Sequence, residues 1–292
     1  MFMEKLIQEY LNWKGIHAPR ASINYRIWLY RFITVCGVKD LQEYATNDVV
    51  RYHDWLQTRY SSYSIQFATV AIKNFFQYCT DSKLNCISPT FIKIPRVNAK
   101  SHRAITEKEF NRVISIIPSN DFRSLRDLVI VRLLWDTGMR VSELCDLNLS
   151  DIDETIGKAT ISTKKTRRMR TVIWSSATHT LLMKYMPIRL ELDNIHRTGS
   201  LFVGWRRGFG WSSKLTSRTV QRRIQYFVRS VGIKEKITPH SFRHGWAHKR
   251  RDQNAPLAFI QRGLGHINPA STFIYEQYTD HDFEKKAKAY LK

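Results

Sequence analysis

Four separated stretches hold side chains that could act together on a phosphodiester: Thr137-Gly138-Met139-Arg140-Val141-Ser142-Glu143-Leu144, the basic run from Lys164 to Arg170, His240-Ser241-Phe242-Arg243-His244, and Leu264-Gly265-His266 leading to Ile274-Tyr275. Attack on such a bond builds negative charge on the non-bridging oxygens, and the planar forks of Arg140 and Arg243 match that geometry with two parallel donors each. A departing oxygen needs a proton, which a lysine ammonium in the basic run can deliver. His240 and His266, titrating near neutrality, suit hydrogen-bonding the phosphate and positioning or deprotonating an attacking hydroxyl. A tyrosine hydroxyl attacking phosphorus would conserve the bond energy in an ester, so that the reverse step needs neither ATP nor metal.

Each stretch also has a plainer reading when taken alone. A single arginine is usually a surface or salt-bridge residue, and the run from Lys164 to Arg170 could do no more than touch a nucleic-acid backbone. Tyr275 and Tyr278, three apart, could be one aromatic face of a helix. His240, His244 and His248, spaced by four, could form a zinc ladder, although no HExxH arrangement accompanies them.

In order and spacing the four stretches resemble the catalytic domain of the tyrosine recombinases. That family's pattern is an Arg in a TGxRxSE-type turn into a helix, a Lys on a β-hairpin, HxxR, GH, and a Tyr nine residues after that His. Here Tyr275 stands nine positions after His266, and His240 precedes His266 by 26, the gap of Xer-type members. The resemblance covers about 104 to 280, and residues 1–95 match the family's core-binding domain by helical type only. It implies Arg140, Lys165, His240, Arg243, His266 and Tyr275 as catalytic residues, with Glu143 orienting its neighbours and His244 packing behind Arg243. Lys165 is preferred to Lys164 because it stands five residues before Arg170, although the glycine usual beside this Lys is missing. Trp246, His248 and Pro269 depart from the pattern and receive no chemical role.

The resemblance further implies a site-specific recombinase that cleaves and rejoins DNA through a 3′-phosphotyrosyl intermediate, with no cofactor and no metal. Its partners would be double-stranded DNA carrying a specific site and other copies of itself in a synaptic tetramer. The alternatives are a type IB topoisomerase using the same residues, or a non-catalytic DNA-binding protein. Xer-like spacing and a C-terminal helix at about 281–291, with Phe283, Ala287 and Leu291 on one stripe, argue for protomers that exchange tails. A pure binder would explain the charge but not the six-residue constellation.

Charge supports a polyanionic partner. Against 25 Asp and Glu stand 47 Lys and Arg, for a net +22. Residues 1–100 hold 13 basic and 7 acidic side chains and the remainder 34 and 18, so both halves are basic and no isolated tail accounts for the balance. Such a field captures nucleic acid by neutralising phosphates and releasing counterions. No apolar run approaches the roughly 18 residues needed to span a bilayer, and Cys36, Cys79, Cys86 and Cys145 form no CxxC pair, as expected of free thiols in the cytoplasm.

The elements that must position these residues are legible in outline. Residues 1–95 read as a helical domain, whose helix near 64–79 carries Ile65, Ala68, Ile72, Phe75 and Cys79 on one face. The polar, basic stretch 96–103 reads as a linker. A second domain, 104–292, opens with the capping box Thr106-Glu107-Lys108-Glu109. A buried helix follows over 125–134, interrupted by Arg126, Asp127 and Arg132. Ala159–Ser162 and Thr171–Trp174 then alternate as the strands of a hairpin with a cationic tip. A helix at about 217–231 is stopped by Gly232. The expected fold is mainly α with a small β-sheet, and the resemblance supplies its architecture as a two-domain DNA clamp.

Overall fold

The computed structural model of the chain describes residues 3–97, 103–162, 169–208 and 210–275. It divides into two compact units, Met1–Lys100 and Ser101–Lys292. Among the described residues no helix is long and apolar enough to cross a membrane.

The first unit is built from helices α1 (Met3–His17), α2 (Pro19–Cys36), α3 (Thr46–Gln57) and α4 (Ser62–Asp81). Pro19 opens α2, where its fixed φ suits a first helical turn and its missing N–H costs nothing. The apolar stripe expected on α4 is buried in full, and Phe32, Phe75 and Phe76 have no exposed surface. Phe32 meets Tyr52 and Phe76 edge-on, with ring centroids 5.3 and 6.1 Å apart, and Tyr52 Oη donates to the Trp28 carbonyl at 3.0 Å.

In the second unit α5 (Glu107–Ser115) begins at the anticipated capping box, Thr106 Oγ1 accepting from Glu109 N while Glu109 Oε2 accepts from Thr106 N. The central helix α6 (Phe122–Thr137) buries Val129, Leu133 and Leu134. Two of its three interrupting charges are buried too: Arg126 and Asp127 pair at 2.7 Å, and Arg126 also donates to the Val203 carbonyl, while Arg132 is half-buried. After α7 (Val141–Asp146) come strands β1 (Ile152–Asp153), β2 (Lys158–Ser162) and β3 (Met169–Ile173), an antiparallel sheet in the order β1-β2-β3. The register sets Ile161 opposite Arg170 and Ser162 opposite Met169.

Helix α8 (Ser176–His196) leads to a second sheet, β4 (Val203–Arg206) paired antiparallel with β5 (Gly210–Lys214). The fold thus holds two small sheets where the sequence pattern implied one. β1 is only two residues long, and a bulge between Gly204 and Arg206 breaks the alternation that would have marked β4 and β5. The chain continues through α9 (Ser217–Ser230), α10 (Pro239–Asp252), α11 (Leu257–Leu264) and α12 (Ala270–Phe273). On α9 Val220, Ile224, Phe227 and Val228 face the core as the periodicity requires. Lys164, Lys165, Tyr278, most of the proposed linker and the C-terminal stripe from Phe283 to Leu291 lie outside the described residues.

Candidate active site

Helix ends carry three of the four chemical stretches to one place. Helix α6 stops because Gly138 adopts a left-handed conformation, φ +59°, which only glycine enters cheaply. Two residues later Arg140 caps α7: its backbone N–H donates to Glu143 Oε2 at 2.7 Å and its guanidinium to Glu143 Oε1 at 2.9 Å. Much later in the chain α11 stops the same way at Gly265, φ +64°, and the next residue is His266.

Arg243, one turn into α10, ties the two turns together. It is 5% exposed, and its guanidinium donates to the Gly138 carbonyl at 2.9 Å and the Leu264 carbonyl at 2.5 Å. Burial, with Arg140 as the next cause, pushes its guanidinium down to about 9.

Glu143 is the anionic hub of the site. Arg170, at the start of β3, chelates it through both Nη atoms at 2.9 and 2.8 Å while its Nε donates to the Gly263 carbonyl at 3.1 Å. Burial pushes the Glu143 carboxyl up, but the Arg170 hydrogen bonds and charge, aided by Arg140, outweigh it and hold the group at about 2. The carboxylate therefore stays charged at any working pH and fixes two guanidinium groups.

His266 shares a 2.8 Å hydrogen bond between its Nδ1 and Thr272 Oγ1. Burial, reinforced by Arg243, Arg140, His244 and Arg170, pushes its imidazolium down to about 4, so the ring is neutral at pH 7. His240 is exposed in the first turn of α10.

Tyr275 is 2% exposed and packs with Trp246, Ala247, Ile260 and Leu264. Its Oη lies 2.8 Å from His244 Nδ1, and His248 meets its ring edge-on at 5.5 Å. His244 therefore faces the tyrosine and does not simply pack behind Arg243. Burial raises the phenol above its ordinary value and Arg243 pulls it back. Of the six predicted catalytic residues, the structure brings Arg140, Arg243, His266 and Tyr275 close enough to act on one another's charge. It sets His240 on the same helix as Arg243, and Lys165 is not described.

The family model of the phage integrase family matches residues 103–284. The chain belongs to the phage integrase family. A tyrosine recombinase XerA of Pyrococcus furiosus is 33% identical over 238 residues, 80% of this chain and 77% of the relative. A tyrosine recombinase XerD of Chlamydia pneumoniae is 29% identical over 258 residues, 86% and 82% of the two chains. Among solved structures, a XerA recombinase is similar at 27% identity and a TM-score of 0.57, covering 99% of this chain and 98% of that one. A lambda integrase dimer bound to a COC′ core site shares the fold at 18% identity with a TM-score of 0.72, covering 95% of this chain and 96% of that one. The protein is accordingly a tyrosine recombinase, an enzyme of site-specific DNA recombination.

Two residues of this recombinase hold the site together without a role in the sequence reading. Arg170 serves there only as a spacing marker, yet it joins the hairpin to Glu143 and to the turn before His266. Trp246 looks like an unexplained departure, yet its Nε1 donates to the Asp136 carbonyl at 2.8 Å and its ring fills the space left by Gly138 and Gly263. A Cβ on Gly263 would overlap the indole, and one on Gly265 would come within 2.8 Å of Arg170. The signal that could have found both is the set of glycines in the TGMR and GLGH stretches, which make room for a large side chain from elsewhere.

Proposed function

We propose that this recombinase cuts and rejoins DNA at a specific site through a 3′-phosphotyrosyl ester on Tyr275. The observation that carries the reading is Arg243 bridging the Gly138 and Leu264 carbonyls, which brings Arg140, His266 and Tyr275 into one electrostatic unit. Arg140 and Arg243 clamp the scissile phosphate and neutralise the charge that grows on its non-bridging oxygens. His240 and the neutral His266 hydrogen-bond the same oxygens. As the Tyr275 Oη–P bond forms, the P–O5′ bond breaks and Lys165 gives the leaving oxygen its proton. Religation runs the same steps backwards, so no external energy source enters. The two arginines supply the charge stabilisation that a divalent cation provides in metal nucleases.

Duplex DNA is the substrate, and the first unit, 1–95 with its net positive charge, is the second DNA-binding surface joined by the linker 96–103 to the catalytic domain 104–292. Four protomers assemble on two duplexes, linked by the tail beyond Tyr275. Likeness to a solved lambda integrase tetramer bound to a Holliday junction supports that arrangement. Cytoplasmic residence fits the free thiols Cys36, Cys79 and Cys145, all buried.

The test uses a duplex site recovered by selection from a random library and nicked near the cleavage point. With EDTA present the full chain should form a covalent adduct that survives denaturation, and Tyr275→Phe should form none. A strict Mg²⁺ requirement, or an adduct with Tyr275→Phe, overturns the reading.

A further inference from the structure

We propose that His244 is the group that takes the proton from Tyr275 as its oxygen attacks phosphorus, an inference that rests on the reading of Tyr275 as the nucleophile. A neutral phenol is a poor nucleophile, and burial makes the Tyr275 proton harder to lose. At 2% exposure the hydroxyl has little access to bulk water, so an adjacent base must accept the proton. Among the described residues its hydrogen-bond partner is His244 Nδ1, at 2.8 Å. His266 is engaged elsewhere, sharing its Nδ1 hydrogen bond with Thr272. His240 sits one turn earlier on α10 and is exposed.

The sequence builds this contact from helical spacing. His244 and His248 lie four apart on α10, so both rings project from one face. Their centroids stand 5.5 Å from the Tyr275 ring, and Arg251, further along the same helix, donates to the Tyr275 carbonyl at 3.5 Å. One helix therefore holds the nucleophile by its hydroxyl, its ring and its backbone. Arg243, on the same helix, favours the phenolate as it forms.

In the step itself the Oη–H bond breaks toward Nδ1, the Oη–P bond forms, the P–O5′ bond breaks, and Lys165 protonates O5′. On religation the imidazolium returns its proton to the tyrosine. The titratable and charged groups acting here are His248, Arg251 and Arg243 on α10, Arg140 beyond α6, Arg170 and Glu143 beside it, and His266 beyond α11.

The experiment follows adduct formation in single turnover on the nicked site, with the normal 5′-bridging oxygen and with sulfur in its place. A thiolate leaves without a proton, so sulfur bypasses the lysine but not the base. His244→Asn keeps an acceptor near the Nδ1 position yet cannot carry the proton, and His244→Ala removes it. Both should bind the site as wild type does and cleave about a hundredfold or more slowly. Sulfur should restore Lys165→Ala and neither histidine variant, and added imidazole should speed His244→Ala. His244→Asn cleaving at the wild-type rate while Tyr275→Phe is inert overturns the proposal alone, whereas cleavage by Tyr275→Phe overturns the reading beneath it. Should both histidine variants fail to bind, the wild type on the sulfur substrate decides: with the lysine bypassed, a solvent deuterium isotope effect of about twofold should remain from transfer of the phenol proton, and its absence overturns the proposal.

Discussion

The two units treat their cations in opposite ways. In the first, no described Lys or Arg is buried, and several lie over aromatic rings: Arg31 is 4.9 Å from Trp28 and 5.2 Å from Tyr60, and Arg59 is 5.0 Å from Trp55. In the second, Arg126, Arg189 and Arg243 are all at most 5% exposed. Burying a charge is expensive unless it is paired. Arg126 pairs with Asp127, which also takes Arg223, and Arg189 pairs with Asp193. Arg243 has carbonyl partners and, among the described residues, no ion pair. The lesson is that of the three buried arginines Arg243 alone has no paired carboxylate among the described residues: carbonyls hold it, and Glu143 acts on it through its field.

The largest effect should come from breaking the closed network. Arg126→Met leaves Asp127 buried with only Arg223, and a severed buried pair costs about 3–5 kcal/mol. The unfolding midpoint in urea should drop accordingly, and a drop no larger than that of Arg243→Ala would erase the contrast between the two arginines.

Arg243→Ala should instead lose rate. With the clamp acting on transition-state charge, cleavage should slow about a hundredfold or more while DNA binding changes little. Arg140→Ala should behave alike, because its guanidinium, held by Glu143, acts on the charge of Arg243 and His266. Weaker binding with a normal single-turnover rate would assign these arginines to DNA capture.

Next in size is the packing that sets the two turns. Gly263→Ala drives a methyl into Trp246, an overpacking that costs about 1–3 kcal/mol. Because Leu264 and His266 follow directly, cleavage should fall with stability, and Trp246→Phe should recover part of both in the double variant. Additive losses would mean the indole and Gly263 are not coupled.

Acid should also weaken the second unit through His266. Its folded value, about 4, lies below the ordinary 6.5, so between those two pH values the unfolded chain binds more protons than the folded one. Stability is therefore whole above about pH 6.5 and falls as pH drops toward 4, with a limiting slope of about 1.4 kcal/mol per pH unit. Glu143 adds a loss only at lower pH, because its carboxyl sits at about 2 and its contribution fades as pH falls below the ordinary carboxylate range. Thermal melts of wild type and His266→Asn from pH 7 to 5 check this, the variant showing the shallower fall.

Much of this was legible because it is local. Capping at Thr106 and Glu109, the α4 and α9 stripes, and the β2–β3 pairing follow from neighbours within one or two turns. The separated motifs were legible because their residue types are chemically rare in that order. What stayed hidden depends on distant partners. Arg170 reaches Glu143 across 27 positions, Trp246 reaches Asp136 across 110, and His244 meets Tyr275 across 31. No periodicity encodes such contacts, and short strands such as β1 leave too few residues to alternate.

The smallest effect should fall on the first unit's surface cations, and it tests the other half of the comparison. Arg59 is exposed, its guanidinium lying over Trp55 and donating to Thr58 Oγ1 at 2.6 Å, so the ring and hydroxyl orient it without burying its charge. A cation held this way keeps its charge available to a phosphate and contributes chiefly through counterion release. Arg59→Gln should therefore lower the slope of log binding constant against log salt by about 1, with an affinity loss of roughly tenfold or less at low salt. Its cleavage rate at saturating protein should match wild type, because nothing in the chemistry of Tyr275 depends on it. Titrating the selected site at several salt concentrations measures the slope, and single-turnover cleavage at saturation measures the rest. If the slope is unchanged, the first unit's stacked cations are structural and DNA capture belongs to the second unit; if the saturated rate falls, the division between capture and chemistry does not run between the two units.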